Sequence, residues 1–274
     1  MSNDRPSITV LMGVYNGLPY LNQAVKSILA QTFSDFEFLI IDDASTDGSL
    51  EVLRKWRRQD SRIRIITNEK NQGLGYALSE GTKEANAPLI ARMDADDIAV
   101  EDRLEAQKEY MLRHPSVDVL GGWAEECDEE GNVIGHRIYP VNHKEIVKLI
   151  WANPMIHPSV VFRKKQIIRI GGYNKNLRKR QDYELWFRCH NAGLRFANLP
   201  KPLIRYRYTD DHFRRNDWKV ALRHVLVGWR GCYQVDAPAH AYLGVAFPLL
   251  RAMFPEGLQN LLNNYMSSFD PRNS

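Results

Sequence analysis

An α/β fold with a mostly parallel central sheet flanked by helices is predicted from three observations. Short apolar runs alternate with segments of helical periodicity through the first half of the chain, the pattern of βαβ units. Two of those runs end directly in acidic clusters, as at the ligand-binding edge of an open α/β sheet. The 274 residues, 44% hydrophobic and 26% charged, are ordinary for a globular protein and long enough to bury a sizeable core.

The elements follow in order. Residues 8–14 (ITVLMGV) form a first strand. A turn at 16–20 leads into a helix over 21–31. Residues 36–41 (FEFLII) form a second strand, followed at once by Asp42 and Asp43. Residues 45–49 read as turn and helix cap, with a helix over 50–58. A third strand, 63–67 (IRIIT), precedes the Asn71-Gln72-Gly73 loop and a helix over 74–85. Residues 87–93 make the fourth strand. The second half is less regular: runs 117–123 and 133–139 flank an acidic turn and suggest a hairpin, 141–152 a helix, 159–163 a short strand, 182–192 a helix, 203–208 a final strand and 217–229 a basic helix. An apolar tail over 240–265 is interrupted at Pro248 and Pro255. No repeat or low-complexity linker occurs.

The formal net charge is only +4, but it is unevenly spread. Residues 163–230 contain 18 Lys/Arg against 5 Asp/Glu, whereas 91–131 is strongly acidic. A basic second half points to phosphates or an anionic membrane surface; a solvated face is the alternative. Cys127, Cys189 and Cys232 show no metal-ligand spacing, which fits a reducing compartment. The polar N-terminus carries no secretory pattern, and no run of about 18 apolar residues suggests a spanning helix.

The densest chemical signal is Met93-Asp94-Ala95-Asp96-Asp97. Carboxylates this close repel unless a cation lies between them, and oxygen ligands suit Mg²⁺ or Mn²⁺. The other reading is that Asp96 or Asp97 caps a helix starting near Val100. With Asp42 and Asp43 at the end of another strand, one rim could hold a base or ribose and a metal-bound diphosphate. Neither a G-x-x-x-x-G-K-[ST] loop nor a G-x-G-x-x-G after the first strand is present, which disfavours P-loop and NAD enzymes.

Val10 to Asn16, Gln31-Thr32-Phe33, Glu37, Ile41 to Asp47, Asn71-Gln72-Gly73 and Asp94-Ala95-Asp96-Asp97, in this order, resemble the family 2 glycosyltransferases of the GT-A fold, over roughly residues 7–210. The resemblance implies a nucleotide-binding half over about 1–98, an acceptor half over about 99–212, and a helical extension over 213–274. It implies Mn²⁺ or Mg²⁺, a nucleotide-diphospho sugar (UDP-linked favoured), inversion at the anomeric carbon, and a glycan or lipid-linked acceptor in cell-surface polysaccharide synthesis. By resemblance, Gly13, Tyr15, Asn16, Asp42, Asp43, Asn71, Gly73, Asp94 and Ala95 would line the nucleotide pocket. Asp94 and Asp96 would hold the metal. Arg180 to Trp186 resembles the family's E-D-x-x-L-W segment and makes Asp182 the expected general base, with Gln181 replacing the usual acid. Asp182 as a helix N-cap is the alternative.

His157, in Asn153 to Ser159, could face acceptor or diphosphate, or be structural; His212 could be an extra ligand. Trp123, Trp151 and Trp186 could stack on a sugar or fill the core. Tyr206-Arg207 resembles the family's C-terminal Tyr-Arg pair. Leu78 stands where the family commonly has an Arg that contacts the diphosphate, leaving Lys70 or Arg92 to compensate. No Q-x-x-R-W occurs, which suggests one sugar per encounter. The basic and apolar C-terminal region suggests a cytoplasmic protein touching the inner face of the plasma membrane; a helix packed on the domain is the alternative. Other readings are an inactive sugar-nucleotide-binding homologue, a sugar-nucleotide nucleotidyltransferase and, from charge alone, a nucleic-acid binder. No nucleic-acid partner is expected.

Overall fold

The computed structural model describes residues 5–208 and 218–252. One nine-stranded sheet organises the chain, in the order β3 (Ile63–Thr67), β2 (Phe36–Asp42), β1 (Ile8–Val14), β4 (Leu89–Met93), β8 (Val161–Arg163), β6 (Val119–Cys127), β9 (Phe196–Arg207) and β5 (Ile98–Ala99), with β7 (Val133–Arg137) paired to β6.

The first half is the predicted βαβ series. Strands β1 (Ile8–Val14), β2 (Phe36–Asp42), β3 (Ile63–Thr67) and β4 (Leu89–Met93) alternate with helices α1 (Leu21–Leu29), α2 (Ser49–Gln59) and α3 (Leu74–Glu84). All pairings among these four strands are parallel. Parallel strands are covered on both faces, and β1, β2 and β4 are buried almost throughout. Two apolar clusters form the core. One includes Val10, Met12, Phe38 and Ile40 with α1; the other includes Leu11, Leu39 and Ile41 with α3 and the second half of the chain. Alternate residues of each strand therefore serve opposite faces.

Beyond β4 the sheet becomes mixed. β8 (Val161–Arg163) runs antiparallel to β4 and to β6 (Val119–Cys127), and β9 (Phe196–Arg207) runs parallel to β6. The predicted hairpin is present, with β7 (Val133–Arg137) antiparallel to β6. β9 begins seven residues before the expected strand, because Pro200 and Pro202 interrupt the apolar pattern where the pairing with β6 shifts register. Two elements were not foreseen: β5 (Ile98–Ala99), too short to show a period, and helix α6 (Lys164–Arg169), hidden in a basic run; helix α4 (Arg103–Arg113) begins three residues after the start near Val100 that the capping reading gave it. The predicted helix over 141–152 splits into α5 (His143–Lys148) and a 3₁₀ turn, Ile150–Ala152.

Helix α7 (Gln181–Asn191) is followed, in the C-terminal part, by α8 (Trp218–Gln234) and α9 (Ala239–Ala252). Helix α9 continues through Pro248, where an interruption was expected. Ala241 and Val245 on its buried face join the core, and that packing outweighs one missing backbone hydrogen bond. Among the described residues no helix is long and apolar enough to cross a membrane. His212, Arg214, Arg215 and the tail beyond 252 lie outside the described residues.

Candidate active site

Strand β4 ends at Met93, and the chain then turns so that carboxylate oxygens of Asp94, Asp96 and Asp97 all lie within 4.8 Å of one another. The helix-cap reading of this cluster does not hold: β5 intervenes, and α4 starts at Arg103 with Asp102 at its N-cap position. Asp97 is buried. Its Oδ1 accepts the Arg207 amide at 3.0 Å, while Oδ2 has no partner. Burial first, then the charges of Asp96 and Asp94, push the Asp97 carboxyl well above the ordinary carboxylate range. The donor set fits a hard divalent cation, since three crowded carboxylates and one orphaned buried oxygen are all satisfied by oxygen coordination.

Two buried arginines brace this turn. Arg207, at the end of β9, donates from Nε to the Asp96 carbonyl at 2.8 Å, from Nη1 to the Asp128 carbonyl at 3.0 Å and from Nη2 to Gln23 Oε1 at 2.6 Å. Arg92, wholly buried in β4, forms an ion pair with Asp94, and its Nε has no partner. Its guanidinium sits beneath the pocket floor as a fixed positive charge.

The candidate nucleotide residues cluster at the adjoining ends of β1 and β2. Asp43 is buried and accepts hydrogen bonds from Asn68 Nδ2 (2.7 Å), the Gln72 amide (3.0 Å) and the Gly73 amide (2.7 Å). It thereby shapes the Asn71–Gly73 turn. Asp42 accepts the Ser45 amide at 3.3 Å and keeps a buried, unpartnered Oδ1. Asn16 has a left-handed backbone (φ 52°) and locks to the next loop: its amide donates to Ser45 Oγ, and its Oδ1 accepts the Thr46 amide. Tyr15 is half exposed. Gly13 is a close-packing position, where a Cβ would come within 2.9 Å of Leu74 Cδ1. Ala95 packs against the core.

A cavity of about 480 Å³ is lined by both Asp94 and Asp182. Asp182 lies in the first turn of α7, and its Oδ2 accepts a hydrogen bond from Asn153 Nδ2 at 3.1 Å. Burial opposes its ionisation. His157, the Asn153 amide, the Tyr183 backbone N–H and Arg180 outweigh that and hold its carboxyl below the ordinary range. His157 also lines the cavity, with Nε2 2.8 Å from the Tyr173 hydroxyl. Burial and then Arg92 depress its pKa to about 4, so the ring is neutral at physiological pH. A larger cavity of about 720 Å³, between α1 and the turn at Glu130-Gly131, contains none of the predicted site residues.

Of the three candidate tryptophans, Trp186 is a core residue, whereas Trp123 and Trp151 are half-buried. Trp186 has no exposed surface and packs edge-on to His157 and Phe196, so it offers no face to an acceptor sugar. Trp123 donates to the Tyr139 carbonyl, and Trp151 packs against Gly244. Leu78 is wholly buried in the core, and Lys70 is exposed and does not line the cavity. Sequence reasoning missed Asn153, Arg137, Tyr139, Arg178 and Arg180 as lining residues. Asn153 carried a usable signal, because an Asn-Pro pair between two apolar segments marks a special backbone conformation.

A parallel sheet, an acidic rim at the end of its fourth strand and a second carboxylate lining the same cavity are the arrangement of a glycosyltransferase. The family model for glycosyl transferase family 2 matches residues 9–197, and the chain belongs to that family. The UDP-Gal:α-D-GlcNAc-diphosphoundecaprenol β-1,3-galactosyltransferase of Escherichia coli is 32% identical over 219 residues, covering 78% of this chain and 79% of its own. The fold is similar to that of S. aureus TarS 1–349 in complex with UDP-GlcNAc (TM-score 0.70, 18% identity, 90% of this chain and 72% of that one). It is also similar to the mannosyltransferase PcManGT of Pyrobaculum calidifontis in complex with GDP-Man and Mn²⁺ (TM-score 0.65, 16% identity, 97% and 81%).

Proposed function

We propose that this glycosyltransferase moves one sugar, with inversion, from a UDP-linked donor to a glycan or lipid-linked acceptor in cell-surface polysaccharide synthesis. The observation that carries the reading is one cavity lined by both Asp94 and Asp182. The donor class is supported by the UDP-galactose named for the E. coli relative and the UDP-GlcNAc bound to the TarS neighbour.

The division of labour follows the sheet. Residues of about 1–98 hold the nucleotide, with Asp42, Asp43 and the Asn71–Gly73 turn at the base and ribose. Residues of about 99–212 form the acceptor side. Asp94 and Asp96 would hold Mn²⁺ or Mg²⁺, which when bound offsets charge on the departing diphosphate. Asp182, ionised at neutral pH, accepts the proton of the acceptor hydroxyl as that oxygen attacks the anomeric carbon. Nucleophile and leaving group then lie on opposite sides of the carbon, and the configuration inverts. Asn153 fixes the carboxylate by donating from Nδ2 to Asp182 Oδ2.

An anionic bilayer is the proposed neighbour of α8. Leu222, Leu226, Trp229 and Tyr233 recur at helical spacing and are exposed, with Arg223 and Arg230 beside them. Helices α8 and α9 contain no acidic residue. This combination suits interfacial burial.

Product analysis by NMR tests the transferase reading. A single glycosidic product of inverted configuration is expected from wild type, formed about 10²–10⁴ more slowly by Asp182→Asn. Retention of configuration would contradict it.

A further inference from the structure

Helix α4 turns polar side chains toward the core. Its buried positions are Arg103, Leu104, Gln107 and Met111, so Arg103 and Gln107 stand one turn apart on the inward face. Both are wholly buried. Every hydrogen bond of the Arg103 guanidinium goes to a neutral acceptor. Nε donates to Gln107 Oε1 at 3.1 Å, Nη2 to the Arg92 carbonyl at 2.5 Å and Nη1 to Met93 Sδ at 3.4 Å. Gln107 in turn donates from Nε2 to the Ser159 carbonyl at 2.8 Å. Among the described residues Arg103 forms no ion pair, and it does not line the 480 Å³ cavity.

A buried charge without a paired carboxylate is strongly destabilising unless a nearby field offsets it. The backbone that Arg103 grips is the end of β4, immediately before the acidic turn. Through space Arg103 is repelled by Arg92 and attracted by Asp97. Arg92 is itself buried and pairs with Asp94. Arg207, also buried, donates from Nε to the Asp96 carbonyl and from its amide to Asp97 Oδ1. Three crowded carboxyl groups are thus set against three buried guanidiniums. The acidic rim supplies the field that makes Arg103 tolerable, and Arg103 in return offsets repulsion within the rim. Buried charges are little screened, so the same guanidiniums oppose a divalent cation arriving at Asp94 and Asp96.

We propose that Arg103 is a positioning residue for the acidic rim: with Arg92 it balances the carboxylates before any cation binds, and it holds the affinity of the rim for a divalent cation alone low. Arg92 lines the cavity and could also touch a ligand there. Arg103 does not line it, so its charge acts only through the rim. The proposal rests on the reading of Asp94 and Asp96 as the metal-holding pair.

The test is Mn²⁺ titration without nucleotide, followed by the electron paramagnetic resonance signal of the free ion. Arg103→Gln removes the charge and keeps a donor for the Arg92 carbonyl. It should bind Mn²⁺ at least tenfold more tightly than wild type. Arg103→Lys, which keeps the charge, and Gln107→Met, which removes only a hydrogen-bond partner, should stay within about threefold of wild type. A purely structural role would instead make Arg103→Gln and Gln107→Met alike, with affinity unchanged or weaker. Far-UV circular dichroism establishes that each variant is folded. Unchanged or weaker Mn²⁺ binding by folded Arg103→Gln, or an equal gain in Arg103→Lys, overturns the proposal. If Arg103→Gln does not fold, wild type decides: a balanced rim changes its Mn²⁺ affinity by about twofold or less between low and high salt, and a steep loss with salt overturns the proposal. Asp96→Ala, titrated with UDP and Mn²⁺ together, separates the two readings. If it abolishes binding while Arg103→Gln has no effect on Mn²⁺ alone, the metal site stands and the proposal fails. If Asp96→Ala leaves binding intact, the metal reading fails and the proposal fails with it.

Discussion

Asn153 adopts a left-handed backbone (φ 55°), and its side-chain amide holds Asp182. A hydrogen bond to the ionised carboxylate lowers its pKa, so removing the donor raises it. For a base that must be ionised, activity falls as pH drops through that pKa. Asn153→Ala is therefore expected to move the acidic limb of the kcat/KM profile to higher pH, read from rates across the acid range, while Asp182→Asn lowers kcat by about 10²–10⁴ and leaves UDP affinity intact. His157 acts on stability with the sign of a buried neutral imidazole. Its folded pKa, about 4, lies below the unfolded value near 6.5, so the unfolded chain binds the extra proton between those values. Stability should be fully present above about 6.5 and fall as pH drops toward 4, and His157→Gln should flatten that slope in urea titrations. These residue-level couplings were only partly legible in the sequence. Asp182 followed from a motif, but Asn153, twenty-nine positions away, meets it only through tertiary packing. The stacking role expected for Trp186 failed because an aromatic residue on an amphipathic helix serves the core as readily as a ligand.

The elements that position the site divide by how periodic they are. Strands β1 to β4 announce themselves as apolar runs, and their order and the acidic residues at their ends were readable directly. β5 and the first part of β9 were not, because two residues cannot show a period and two prolines hide a strand. The join between the two halves depends on glycine at α3, whose fit with the 174–180 loop leaves no space for a side chain. Gly75→Ala should push that loop outward. We expect a loss of about 1–3 kcal/mol in chemical denaturation and faster proteolysis between Asn174 and Arg180. Retained wild-type protection there would show that the loop is not seated on α3.

The molecule carries its charge on one side of its chemistry and its exposed apolar surface on another. Acidic residues gather at the end of β4, cations line the cavity that Asp94 and Asp182 share, and α8 presents an apolar stripe flanked by arginines. The uneven charge was visible in the sequence; that cations from distant segments would line one cavity with Asp94 and Asp182 was not, because Arg92, Arg137 and Arg180 are far apart in the chain. For the stripe, Leu226→Glu/Trp229→Ala should abolish flotation with anionic lipid vesicles and leave turnover on a soluble acceptor unchanged. Equal flotation by the variant would place any membrane contact elsewhere.

The central claim is that the acidic rim is a metal-dependent donor site. Calorimetric titration with UDP-, GDP- and dTDP-linked sugars, with and without Mn²⁺, on wild type and Asp96→Ala tests it most directly. Mn²⁺-dependent binding of the UDP-linked sugars to wild type is expected, and its disappearance in Asp96→Ala. Binding that is indifferent to Mn²⁺ and to Asp96, or no nucleotide sugar bound with Mn²⁺ present, would contradict it.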